Sequence, residues 1–517
     1  MKDKEYIKII DKFYEEVEPK AIKAQIDSWD FNTNSTDENM KKLTKSQEKV
    51  LNLIRNEEFY HKLKEFEKSG LEDKHLAKQL KNLVKDLDDE FNAGEQKKAL
   101  NDKTIEIICK FNKYVPKIDE KETSLAEISQ ILLNEKNADL RKKAYEATIK
   151  GGDVLADDLI ELTKMRNEFA KTKGYNNFFE YVLKDGDDEG EAEHLLSLID
   201  EVYYNSKDIN KQIQSEYKKE LADEFGIGPD DLRGYHYGLL LDNNPAKEVN
   251  KSLKTKEQVV DICKKAYLGM GFDIDNMPIM LDLFPRKNKN SHGFCFDIDA
   301  GKDARILANL TNTIKSIEIL CHELGHCVYH IGISKELPYL DKRTYPAVTE
   351  AIAIMMGDLK QREDILKGIV SDKILDNFKK DLKKTEVAFI NRCLLIIDFE
   401  KGMYENPDQN LPQLWHNLKV KYTGVNDNDE PNNEWATIPH YISHPVYYMN
   451  YFKATLLKAQ MYKHLHEKLG NLTENKETAD YLNNNLFKYG TSIEENELIE
   501  KFTGEPLSSK AICESLA

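Results

Sequence analysis

Cysteine, proline and glycine are all scarce in this sequence, and each scarcity removes a class of protein. Seven cysteines (Cys109, Cys263, Cys295, Cys321, Cys327, Cys393 and Cys513), an odd number dispersed over 517 residues, are too few for a disulfide scaffold, so they read as reduced thiols. The 14 prolines and 24 glycines cluster between stretches of helical period, and the sequence shows no low-complexity tract and no internal repeat. No run of about 18 apolar residues occurs. The opening MKDKEYIKIIDKFYEE has charges every few positions in place of an apolar signal core. These two absences predict no membrane partner, no secretory route and a cytoplasmic location. Basic residues are not in excess either. With 75 Lys+Arg against 92 Asp+Glu, the net charge of −17 is spread along the chain, which argues against a nucleic-acid surface.

What the sequence does have is helical periodicity almost throughout, as in EKVLNLIRNEEFYHKLKEFEK and AEHLLSLIDEVYYNSKDINKQI. The pattern predicts a mainly α fold, long enough for more than one core. Breaks are expected at KSGLEDKH near 70, KDGDDEGEAE near 187, EFGIGPDDLRGY near 228, LDNNPAKE near 244 and GVNDNDEPNNEW at 424–435, none of them a flexible linker. A single stretch, SHGFCFDIDAGKDARILANL, reads as sheet, with the DAGKD turn signal between β-prone flanks.

That stretch is followed by CHELGHCVYH, residues 321–330. His322 and His326 lie one turn apart on one helix face, so both imidazoles can serve one ion, with Glu323 beside it as the general base for an attacking water. Zinc in a catalytic site takes three protein ligands and keeps one position open. The next helix, YPAVTEAIAIMMGDL, places Glu350 among apolar residues, where a carboxylate is costly unless paired or metal-bound. Glu350 is therefore the third expected ligand. His330 extends the series by a turn, away from the ion, and reads as structural.

The segment HELGHCVYHIGISKELPYLDKRTYPAVTEAIAIMMGDL resembles the angiotensin-converting-enzyme family of zinc peptidases, including the spacing from His326 to Glu350. The likeness extends to IDSWDFNTNSTDENMKK, to RNEFAKTKGYNNFFEYVL, to LWHNLKVKYTG and to IPHYISHPVYYMNYF, the last also resembling the thimet-type oligoendopeptidases. It is dense over 290–460, the expected catalytic core segment. The resemblance implies a single large two-lobed helical peptidase unit of residues 1–517, made of two interleaved subdomains with a deep central cleft and a small antiparallel sheet at its rim. It assigns Tyr451 as oxyanion donor and Tyr448 as a substrate contact. His440 is the second stabilising donor by a one-residue shift, since Tyr441 falls at the ungapped position, and His444 is the fallback. It also implies that SHGFCFDI is an edge strand that pairs with a peptide substrate, with His292 lining the groove and Gly293 and Cys295 offering main-chain bonds.

The sequence departs from that family in places. No basic residue stands in WATIPHY, where a lysine holds the substrate carboxylate. Asn450 and Lys419 replace two chloride-linked arginines. Ile354 replaces an aspartate that supports a zinc histidine, which leaves Asp358 as a stand-in. Ser291 and Asn309 replace a cysteine pair. The function expected is zinc-dependent hydrolysis of short unfolded peptides, releasing C-terminal dipeptides, with internal cleavage of the oligoendopeptidase kind as the alternative. An inactive peptide-binding relative and a helical scaffold with an accidental motif are the competing classes; the intact ligand set with its base argues against both.

Overall fold

A computed structural model of the chain describes residues 2–92, 94–185, 190–237, 246–290, 292–425 and 430–516. The breaks expected near 187 and 244, part of the one at 424–435, and Ser291 lie outside these residues. The protein is mainly α-helical with little sheet, as the periodicity predicts. No helix among the described residues is long and apolar enough to cross a membrane.

The elements that matter for the site are α1 (Lys2–Thr33), α2 (Ala138–Thr172), β1 (Ile279–Asp282), β2 (Phe294–Asp297), β3 (Ala304–Leu307), α3 (Ile314–Gly332), α4 (Pro346–Gly357), α5 (Asp372–Glu405), α6 (Pro439–Ser443) and α7 (Tyr448–Leu469). The chain divides into two compact units interleaved in sequence. The first takes Met1–Gly94, Ala246–Phe378 and Ala454–Ala511; the second takes Glu95–Pro245, Lys379–Lys453 and Ile512–Ala517.

In the first unit the sheet has the order β1-β3-β2. β2 and β3 pair antiparallel across the DAGKD turn, with Cys295 opposite Ile306. β1 pairs with β3 in parallel, so the sheet is mixed and not the purely antiparallel one expected. The sequence concealed β1 because it is four residues long and lies between Pro278 and Pro285, too short for an alternating pattern to stand out. The C-terminal half of α1 backs this sheet. Trp29 is buried against Ile298 and Leu307, edge-on to Phe296 at 5.5 Å. Asn32 binds the loop before β2 through the Asn290 N–H (2.8 Å) and the Asn290 side chain (2.9 Å). The SWDFN stretch is therefore a brace for the strand β2.

α3 starts at Thr313, whose hydroxyl accepts the Ser316 N–H, and its apolar residues are buried around most of its circumference. α4 starts on Pro346, a residue suited to the first helical position because its missing N–H would be unpaired there anyway. The two helices approach closely at Gly325. A Cβ at that position would stand 3.0 Å from the Cα of Ala353, so the glycine inside HELGH sets how near α4 comes to the histidines. In the second unit a core of Phe399, Trp415, Trp435 and Tyr441 packs ring on ring, with centroids 5.2 to 5.6 Å from Phe399.

Candidate active site

The first unit brings His322, His326 and Glu350 together. One donor atom from each lies within 4.8 Å of the others, and the two imidazole rings stand 4.9 Å apart and nearly perpendicular. His322 Nε2 is 3.8 Å from Glu350 Oε2. Donors each about 2 Å from one ion lie roughly 3.3 Å apart in a tetrahedral site, so small side-chain rotations close the set. His330 is not part of it; its Nδ1 faces Asp297 on β2 at 3.4 Å.

The chemistry of the donor set suits a divalent cation. Burial pushes His322 down to about 4 and His326 well below its ordinary value, which keeps both imidazoles in the neutral form that a metal binds. Burial also raises Glu350. Glu323, 9% exposed, is pushed up to about 8, first by burial and then by the charge of Glu350, against a hydrogen bond from the Cys295 N–H. Two desolvated carboxyl groups, one of them feeling the charge of the other, are relieved by a nearby positive charge.

Two supports for the triad were missed in the sequence. His326 Nδ1 lies 2.8 Å from the Thr349 hydroxyl, which fixes the ring and leaves Nε2 for the ion. Thr349 precedes Glu350 by one residue, and nothing in that adjacency signals a hydrogen bond to another helix. For His322, Asp358 was the expected support, but its carboxylate pairs with Lys458 at 3.1 Å and Lys360 at 3.7 Å. The acid whose field weighs most on His322 is Glu318, one turn earlier on α3 and itself paired to Lys360 at 3.0 Å.

The residues expected to line the groove lie beside Glu323. Gly293 is placed so that an added Cβ would stand 3.4 Å from Glu323 Oε1, and the Cys295 N–H bonds that same carboxylate. Cys295 Sγ is 3.1 Å from Cys327 Sγ, both as free thiols, like the other five cysteines. His292 is exposed, and its backbone N–H donates to Asn290 Oδ1 at 3.0 Å. β2 is an edge strand among the described residues.

The second unit brings His440, Tyr448 and Tyr451 together. Ring centroids are 4.9 Å apart for His440 and Tyr448, 6.0 Å for His440 and Tyr451, and 5.4 Å for the two tyrosines. Tyr441, which competed with His440 on alignment, is buried with its hydroxyl on the Ile396 carbonyl at 3.4 Å. His444 flanks the cluster, 6.2 Å from His440. Burial, helped by His444 and Arg392, pushes His440 down to about 4. Tyr448 is raised by burial and held back by Arg392, whose side chain bonds it. Arg392, on α5, is a cation that sequence reasoning passed over because it sits more than fifty residues before Tyr448, the tyrosine it bonds. Lys419, at the place of a chloride-linked arginine, is buried and paired to Glu434 at 2.8 Å.

The family described as Peptidase family M3 matches residues 275–517, and the family described as Angiotensin-converting enzyme matches residues 1–238. The Oligoendopeptidase F homolog of Lactococcus lactis subsp. lactis (strain IL1403) is 23% identical over 393 residues, 72% of this chain and 61% of that protein. The chromosomal Oligoendopeptidase F of Lactococcus lactis subsp. cremoris is 26% identical over 211 residues, 38% of this chain and 33% of that protein. The chain thus spans less than two thirds of the length of these relatives. With one family matched on each side of residue 250 and oligoendopeptidases among its relatives, the chain is similar to gluzincin-type peptidases and shares features with the thimet and oligoendopeptidase group.

Proposed function

We propose that this protein is a zinc metallopeptidase acting on short unfolded peptides. The observation that carries the reading is the convergence of His322, His326 and Glu350 with Glu323 alongside. When bound, zinc supplies Lewis acidity, polarising the scissile carbonyl and acidifying a water. Glu323 takes the proton of the attacking water and hands it to the leaving amine. Its place against Gly293 and the Cys295 N–H restricts the carboxylate to one orientation. Tyr451 and His440 donate to the carbonyl oxygen as negative charge develops, and Tyr448 contacts substrate. The free edge of β2, with His292 and Gly293, aligns the peptide backbone while reading little of its sequence. The test is a digest of a mixed peptide library with metal content measured on the same sample; active protein free of transition metal ends the proposal.

On the cleavage position, removal of C-terminal dipeptides needs a cation or strong donors for the substrate carboxylate. Arg392, bonded to Tyr448, supports that role in place of the missing lysine. The oligoendopeptidase relatives favour the second reading, cleavage at internal bonds. A matched pair of peptides about eight residues long, one amidated and one free, separates them. A preference for the free acid that falls at least about tenfold in Arg392→Gln, or about 1.4 kcal/mol, supports dipeptide release. Equal cleavage of both peptides makes the endopeptidase description the better one.

A further inference from the structure

The short connection between α6 and α7 holds a backbone conformation that its own sequence does not favour. Val446 has φ of +64°, in the left-handed region, where a β-branched side chain is strained. Its N–H has no helical acceptor and donates instead to Oε1 of Glu400 at 2.8 Å. Glu400 comes from α5 and is 2% exposed. The Val446 carbonyl accepts the Met449 N–H, so this strained residue opens α7.

Immediately before it, α6 is only five residues long and ends with unpaired carbonyls. Two of these, on Tyr441 and Ile442, accept from Nη1 and Nη2 of Arg166, each at 2.6 Å. Arg166 comes from α2, is 6% exposed and also donates to the Tyr404 hydroxyl at 3.1 Å. Two buried ionisable groups therefore spend their hydrogen bonds on the main chain of one six-residue turn. What the turn carries is the donor cluster: His440 stands just before the clamped carbonyls, and Tyr448 and Tyr451 follow the clamped N–H within one turn and a half.

We propose that Glu400 and Arg166 are positioning residues that clamp residues 441–446 and so preset His440, Tyr448 and Tyr451 as one donor set. The proposal rests on the reading that this cluster acts on the developing oxyanion. Donors aimed in advance accelerate a reaction because they need no reorganisation when charge appears, and displacing them by about 1 Å can cost 10²-fold in rate.

The test compares Glu400→Gln with Glu400→Leu in the zinc-loaded enzyme. The amide keeps an acceptor oxygen for the Val446 N–H, so kcat stays within about threefold of the parent. The leucine removes the acceptor, and kcat falls roughly 10²-fold at nearly constant KM. Hydrogen exchange of the amides in 441–450 becomes at least about tenfold faster in the leucine variant and stays slow in the glutamine one. If Glu400→Leu folds poorly, Glu400→Leu with Val446→Gly provides the reading, since glycine adopts a positive φ without strain and returns part of the lost kcat. Equal loss of kcat in both single variants overturns the proposal. So does fast exchange with an unchanged kcat, or slow exchange in Glu400→Leu. Tyr451→Phe and His440→Ala at full kcat would sink the oxyanion reading itself and the catalytic half of this proposal with it, whereas the exchange measurement reads the clamp alone.

Discussion

The metal triad of the first unit and the aromatic cluster of the second are built by opposite means. The triad needs one helical repeat and one neighbouring helix, with all three ligands between residues 322 and 350. Its decisive geometry is local: a turn of helix between two histidines, and a glycine that lets α4 come close. The cluster also occupies a short stretch, but it is shaped from afar, by Arg166 on α2 and by Arg392 and Glu400 on α5. A group of three possible ligands can therefore be written in one segment, whereas the aromatic cluster is held by a frame drawn from distant helices. The two also differ in what their burial does. At the triad, desolvation raises Glu350 and the neighbouring Glu323; in the cluster it lowers His440 and raises Tyr448.

The comparison breaks most sharply on the metal. A chelator should reduce peptide hydrolysis to background, and added Zn²⁺ should restore it, because nothing in the aromatic cluster can replace the ion. Activity that survives metal removal would shift the catalytic centre away from the triad. Next in size is Glu323→Gln, expected to lower kcat by about 10⁴-fold, the upper range for a general acid and base, with zinc content unchanged. Loss of zinc in a folded Glu323→Gln protein would make Glu323 a ligand and remove the distinction between base and triad.

Tyr451→Phe probes the other side. Deleting one oxyanion donor should lower kcat by roughly 10²- to 10³-fold with little change in KM. An unchanged kcat would pass the role to Tyr448 or His440. Thr349→Val should weaken zinc binding by about 10- to 100-fold, since it removes the partner of His326 Nδ1, yet leave kcat near normal at saturating metal. A competitive zinc titration measures it, and parental affinity would mean that the His326 ring is held by packing alone. The smallest effect is for chloride. With Asn450 at one arginine position and Lys419 paired to Glu434 at the other, activity should change less than about twofold between chloride and acetate buffers. Severalfold activation would reveal an anion site elsewhere.

Much of the triad was legible because its chemistry coincides with a local period. His322 and His326 share a face by helical spacing, Glu323 follows from adjacency, and Glu350 was marked by a carboxylate standing in an apolar run. The helical class was equally readable, since amphipathic repeats dominate the chain. The departures have physical causes. β1 escaped notice because four residues between two prolines show no period, and its parallel pairing with β3 made the sheet mixed. Asp358 was a reasonable partner for His322 by position, but two lysines take its carboxylate. Counting along α6 did not separate His440 from Tyr441; the fold turns the His440 ring toward Tyr448 and the Tyr441 hydroxyl toward the Ile396 carbonyl.

The sequence by itself determined the elements whose cause is short-range: helices of period 3.6, the paired histidines one turn apart, and an excess of acid spread too evenly to make a basic surface. Only the tertiary structure decided the rest. It gave Thr349 to His326, laid Trp29 and Asn32 behind the groove strand, and set Gly293 and Cys295 beside Glu323. It also turned Arg166 and Glu400, two charges lost in long helices, onto the backbone of one strained turn. The physical reason is that a hydrogen bond between residues far apart in the chain leaves no periodic trace. Its partners are chosen by which buried polar group would otherwise go unpaired, and that is known only once the helices have packed.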